Sequence, residues 1–202
     1  MASKRKRKLE KKAYRELDKK MSARRDAFND MLWKYGPATV GILILLAFLF
    51  FVFYKPAPIS AEEWSLEEAQ TGDMYSSEDY YNDGLTFVEF FNSRCGHCND
   101  QAPELNEIYE TYKDNDQFNM FSIGGYSLGS KKDTKNDISS FKSKHSSQWP
   151  HLYDPSGELM RDYGFSTYPS MILIKEGKIV YSHSGELTAE ALSAHIDEHL
   201  ES

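Results

Sequence analysis

The chain has 202 residues, 40% of them apolar, which is enough for one ordinary packed domain plus additional segments. Its charge is divided: the residues before Gly36 carry 13 Lys/Arg against 5 Asp/Glu, a net of +8, and those after Lys55 carry 10 against 26, a net of −16. The acidic part disfavours a nucleic-acid surface, and a single pair of cysteines three positions apart does not make a disulfide scaffold.

Residues 1–34 form a basic tail that is predicted helical, because Leu9, Tyr14, Leu17, Met21, Phe28, Met31 and Leu32 recur at rough helical spacing. Two uses fit it: binding anionic lipid headgroups, or serving as a solvated tail that only sets orientation. The run Lys4-Arg5-Lys6-Arg7-Lys8 also has the form of a nucleic-acid or nuclear-localisation patch. Beside an apolar span, topology is the more direct use.

Residues 35–54 contain no charged side chain and predict a transmembrane helix, since twenty residues at about 1.5 Å each cross a hydrocarbon core of roughly 30 Å. A buried core helix and a cleaved signal peptide are the alternatives. The long basic region and the lack of a small-residue cleavage site argue against the second. Trp33, Tyr35 and Tyr54 stand where interfacial aromatics belong. The basic tail keeps the N-terminus cytoplasmic and places the rest outside, in an extracytoplasmic space or, in a eukaryote, the endoplasmic reticulum lumen.

Residues 55–84 read as a linker and acidic extension. Pro56-Ala57-Pro58 is stiff, and 61–83 predicts a short helix followed by a loop. From residue 85 strands and helices alternate. Strands are predicted at 85–91, 118–124, 170–175 and 178–184, the last two joined by Glu176-Gly177. Helices are predicted at 98–112, 137–145, 158–163 and from the Thr188 cap to about residue 200. This order predicts an α/β three-layer sandwich, a mixed central sheet flanked by helices, over 85–202.

The chemistry concentrates in Cys95-Gly96-His97-Cys98, between a buried strand and a helix start. Thiolate is the nucleophilic form of cysteine, and a helix N-terminus with its unpaired N–H groups stabilises a thiolate on Cys95. His97 and Arg94 are expected to add positive charge, and Gly96 to permit a tight turn. Cys95 is then the exposed attacking sulfur and Cys98 the buried resolving one. Half of a zinc site lacks the remaining ligands, so no metal is assigned. A purely structural local disulfide is the other alternative.

The run Phe87-Val88-Glu89-Phe90-Phe91-Asn92-Ser93-Arg94 before this motif resembles the active-site strand and loop of the thioredoxin superfamily, and Cys-Gly-His-Cys is the form seen in protein disulfide isomerases. Glu89, six before Cys95, stands where that family has its buried acid. Pro103 stands at the helix-kinking proline, and Tyr168-Pro169 at the cis-proline facing the active site. The resemblance covers about 85–200. The layout is similar to membrane-anchored extracytoplasmic thioredoxin-like proteins, which commonly carry an insertion that 125–160 would hold. Two positions depart from the pattern: Arg94 replaces the usual Trp, and Ser170 the usual Thr.

The resemblance implies a thiol–disulfide oxidoreductase whose only redox group is the Cys95–Cys98 disulfide, with no other cofactor. Glu89 would shuttle a proton to or from Cys98, unless it is simply a strand carboxylate paired with a lysine. Tyr168 and Pro169 would hold an extended substrate peptide. Partners would be protein thiols and disulfides, a membrane or exterior redox partner, and the bilayer through 35–54. The expected cations at Arg94 and His97 favour an oxidase or isomerase. The alternatives are an exterior thiol reductase, as in cytochrome c maturation, and a non-catalytic binding module.

Overall fold

The computed structural model describes residues 2–53, 59–82, 84–125 and 131–201. Its contacts divide the chain into Met1–Pro56 and Ala57–Ser202. The first unit is one long helix, α1 (Ala2–Phe53), on which Tyr14, Leu17, Met21, Ile42, Leu45 and Phe48 are exposed. Among the described residues no helix is long and apolar enough to cross a membrane. The expected span at 35–54 runs partly outside the described residues, as do Pro56-Ala57-Pro58 and residues 126–130 of the expected insertion.

The second unit holds β1 (Ser65–Glu68), β2 (Met74–Ser76), α2 (Glu78–Tyr81), β3 (Leu85–Phe90), α3 (Gly96–Tyr112), β4 (Phe118–Gly124) and α4 (Lys135–His145), then β5 (His151–Tyr153), α5 (Leu159–Asp162), β6 (Ser170–Lys175), β7 (Lys178–Ser184) and α6 (Ala189–Leu200). One mixed sheet runs β2-β1-β5-β4-β3-β6-β7. β3 pairs parallel with β4 and antiparallel with β6, so it is central, and all six of its residues are buried. That explains why it is mostly apolar, with only Thr86 and Glu89 polar among its buried residues. β3 is entered through Gly84, at φ +90°, where a Cβ would lie 2.3 Å from the Gln117 carbonyl oxygen.

Helices α3, α4 and α6 cover one face, with Leu105, Ile108, Phe141, Leu192 and Ile196 packed on Leu85, Phe87, Phe91 and Met171. On the other face Trp64, Leu66, Tyr81, Met160 and Phe165 pack on Val88, Phe90, Phe121 and Ile172. This is the expected mixed sheet with flanking helices.

The acidic extension departs from the expected helix and loop. It forms the β1–β2 pair followed by the four-residue α2. β1 turns Leu66 and Glu68 inward, and Glu68 is neutralised by Lys142 at 2.8 Å. An inward acid whose partner lies 74 residues away does not read as a strand. β5 is a further strand, only three residues long. Ahead of β1, Ser60 bridges Lys178, with Ala61 N donating to Gly177 O and Ile179 N to Ile59 O, so this segment covers the outer edge of β7.

Candidate active site

Cys95 is the N-cap of α3, which starts at Gly96, two residues before the expected helix start, and it has an extended backbone conformation. Its sulfur accepts a hydrogen bond from the Cys98 amide at 3.3 Å. That amide is one of the N–H groups a helix leaves unpaired, so the helix end addresses the Cys95 sulfur directly. Cys95 is half-buried and Cys98 fully buried, and both sulfurs are free. Burial pushes the Cys98 thiol far above the ordinary cysteine range, and the nearby Glu89 carboxylate pushes it in the same direction. Gly96 is not needed for a tight turn, contrary to expectation: a Cβ there would meet nothing within 4 Å.

The loop before Cys95 is built on two buried side chains. Asn92 Oδ1 accepts from Arg94 N at 3.1 Å, and Asn92 O accepts from Cys95 N at 3.0 Å. Asp133, 1% exposed, accepts from Ser93 N and Ser93 Oγ, both at 2.7 Å. Asp133 Oδ1 also takes Arg94 Nη1 at 2.8 Å, and Asp137 Oδ1 takes Arg94 Nη2 at 2.8 Å. Asp137 is held down to about 2, first by the Thr134 amide and hydroxyl, which outweigh desolvation, and after them by Arg94. His97 Nδ1 is paired with Glu186 Oε1 on the exposed surface.

These pairings correct the electrostatics expected of the motif. Arg94 does not present free positive charge to Cys95, because Asp133 and Asp137 match it, and the His97 ring is held by Glu186. Asp133, Asp137 and Glu186 went unseen in the sequence, lying 39, 43 and 89 residues from their partners. Only the capping box Thr134/Asp137 leaves a local signal.

Glu89 is 1% exposed, and burial raises it to about 7, with the Ser122 hydrogen bond acting in the opposite direction. Its Oε2 accepts from Ser122 Oγ at 2.6 Å, and Ser122 Oγ accepts from Trp149 Nε1 at 2.8 Å. The alternative of a lysine-paired strand carboxylate therefore does not apply: the partner is a neutral hydroxyl. Tyr168-Pro169 is cis, and Pro169 O accepts from Gly185 N at 2.8 Å. Half-buried Tyr168 packs against the cluster containing Cys98 and Phe91, as does Cys95. The site residues named from the sequence are thus gathered at one end of β3.

Among the described residues one group could offer ligands to a metal ion: His97, Asp100 and Glu186, with ligand atoms within 4.8 Å of one another. All three are exposed and His97 already pairs with Glu186, so the group is accounted for as surface ion pairing.

The sequence matches the AhpC/TSA family over residues 59–182. It is 27% identical over 128 residues to the thiol-disulfide oxidoreductase ResA of Bacillus thuringiensis subsp. konkukian, covering 62% of this chain and 68% of the relative. With ResA of Geobacillus thermodenitrificans it shares 26% identity over 169 residues, 79% of this chain and 92% of the relative. The crystal structure of StoA from Bacillus subtilis superimposes with a TM-score of 0.55 at 22% identity, over 68% of this chain and 98% of that one, a likeness of fold. The chain belongs to the AhpC/TSA family, as an oxidoreductase of thioredoxin-like fold.

Proposed function

We propose that this protein is a membrane-anchored thiol reductase that acts on protein disulfides outside the cytoplasm, of the kind cytochrome c maturation requires. The observation that carries the direction is the neutralisation of Arg94 by Asp133 and Asp137, with the His97 ring turned to Glu186. Free cations beside Cys95 would stabilise the thiolate, and with it the reduced form, making the disulfide an oxidant. Paired cations in a strongly acidic domain do so far less, which leaves the dithiol a better electron donor. The thiol-disulfide oxidoreductase names of the ResA relatives support the exchange chemistry.

In the forward direction the Cys95 thiolate attacks one sulfur of a substrate disulfide. A Cys95–substrate bond forms, and the other substrate sulfur leaves as thiolate. Cys98 then gives its proton to Glu89, which is raised to about 7 and so takes a proton near neutral pH. The Cys98 sulfur attacks Cys95, the second substrate thiol is released, and Cys95–Cys98 is left oxidised. A dithiol partner returns the electron pair. Tyr168 and the backbone before Pro169 border this exchange and would hold the substrate chain.

Anchorage rests on the uncharged run 35–54 and the basic tail before it. The bulk of the protein should stay in the membrane fraction through alkaline carbonate washing. The test of direction is the Cys95–Cys98 reduction potential. A value near thioredoxin's, about −270 mV, supports a reductase, and one near DsbA's, about −120 mV, sinks it. Separately, Cys95→Ser must abolish disulfide turnover; wild-type turnover no higher than the background left in that variant would mean a binding module instead.

A further inference from the structure

Glu89, Ser122 and His151 are register neighbours on three adjacent strands, β3, β4 and β5, all fully buried. Trp149 joins them through its indole nitrogen. The hydrogens in this row are fixed by chemistry. The Trp149 Nε1–H can only donate, so it takes a lone pair of Ser122 Oγ. Ser122 has one hydrogen, and the Glu89 Oε2 at 2.6 Å is its acceptor. Glu89 Oε1 has no hydrogen-bond partner among the described residues.

We propose that Ser122 is the positioning residue of the Glu89 acid: oriented by the Trp149 indole, its hydroxyl holds Oε2 as a permanent acceptor and leaves Oε1 as the atom that gains and loses the proton. A proton on Oε2 would have to use the remaining lone pair of Ser122 Oγ and would turn the serine hydrogen away from its acceptor. A buried donor left unpaired is costly, so that state is disfavoured. Oε1 carries no such conflict. The relay thus selects one atom of a carboxyl that would otherwise be symmetric, and it stabilises the ionised form through Oε2.

The inference deepens the exchange mechanism, in which Glu89 serves Cys98, and rests on that reading for its use. The groups around the acid are few. α3 brings Cys98 and Cys95, β4 brings Ser122, the segment before β5 brings Trp149, and β5 brings His151, kept uncharged by burial. β6 brings the apolar Met171 in register with Glu89.

The experiment is a carboxyl 13C NMR titration of the full chain in detergent micelles, in the oxidised form so that no thiol titrates. Glu89→Gln assigns the signal by removing it. Ser122→Ala should move the Glu89 inflection up by about one pH unit, a tenfold rise in proton affinity, as a hydrogen bond to the carboxylate is lost. Ser122→Thr, which keeps the hydroxyl, should restore it. Trp149→Phe should move it the same way by less, because the serine hydroxyl is then free to rotate. The pH dependence of turnover should follow the same shifts. An inflection unmoved by Ser122→Ala, or moved equally by Ser122→Thr, overturns the proposal. Should Ser122→Ala fail to fold, an unshifted Trp149→Phe overturns it. Loss of the exchange reading would show differently, as Cys95→Ser with normal turnover and the titration intact.

Discussion

Arg94 Nη1 lies 2.8 Å from Oδ1 of Asp133, which is 1% exposed. The residue that makes the redox motif look cationic is therefore bound to a buried anion that also receives both Ser93 donors. Asp133→Asn keeps the shape and removes the charge. The reduction potential of Cys95–Cys98 should then rise, by about 30 mV if the guanidinium, left with Asp137 alone, favours the Cys95 thiolate tenfold. Redox titration against glutathione measures this. A potential that stays put would mean that Arg94 does not reach the sulfur.

Glu89 sets a pH dependence of stability. Its folded pKa, about 7, is raised above the unfolded value by burial. Between those values the folded state binds more protons than the unfolded one, so stability falls as pH rises toward 7 and stays reduced above it. Against Glu89→Gln, the wild-type chain should lose about 2–3 kcal/mol between pH 5 and pH 8 in urea unfolding of the oxidised protein. Parallel profiles for the two chains would contradict the raised value.

His151 acts at the acid end. Burial depresses it to about 3, and its Nδ1 lies 3.2 Å from the Trp149 carbonyl, an acceptor, so Nδ1 carries the hydrogen. The unfolded chain protonates this histidine below about 6.5 while the folded chain does not, so the stability present above 6.5 is lost as pH falls toward 3. Replacing His151 with Phe, among Phe91, Phe141 and Trp149, should remove about 2 kcal/mol of the loss between pH 7 and pH 4.5. Acid unfolding followed by tryptophan fluorescence reads the difference.

Lys142→Met should be the most damaging of these substitutions. Lys142 Nζ is 2.8 Å from Glu68 Oε1, and Glu68 also accepts from the amides of Gln70 and Thr71. Burial pushes Glu68 up, but Lys142 and those amides outweigh it and hold the acid down to about 2. Removing the lysine leaves a buried carboxylate without its cation, at a cost of about 3 kcal/mol. Thermal unfolding measures it, and the double variant with Glu68→Leu should recover part of the loss.

How much could be read in advance depended on the range of the interaction. β4, β6 and β7 follow from apolar runs and turn residues and fall at residues 118–124, 170–175 and 178–184 as expected. Cys95, Cys98, Glu89 and Pro169 follow from a motif whose spacing is fixed by one strand, one helix and one distant loop. β1 and β5 were hidden because four and three residues give too little periodicity. The charge state of the motif was hidden because Arg94 and His97 are answered from distant segments. Ser122 carries no signal of its own; it matters because β3–β4 register puts it opposite Glu89.

The sheet ends in two unequal edges. On one side β2 is only three residues long, and on the other the main chain around Ser60 is already hydrogen-bonded to β7. Neither side offers a long row of free backbone donors and acceptors, the template from which sheets grow from one molecule to the next. A domain whose sheet ends this way is poorly suited to being recruited, edge to edge, into the aggregates of the proteins it meets.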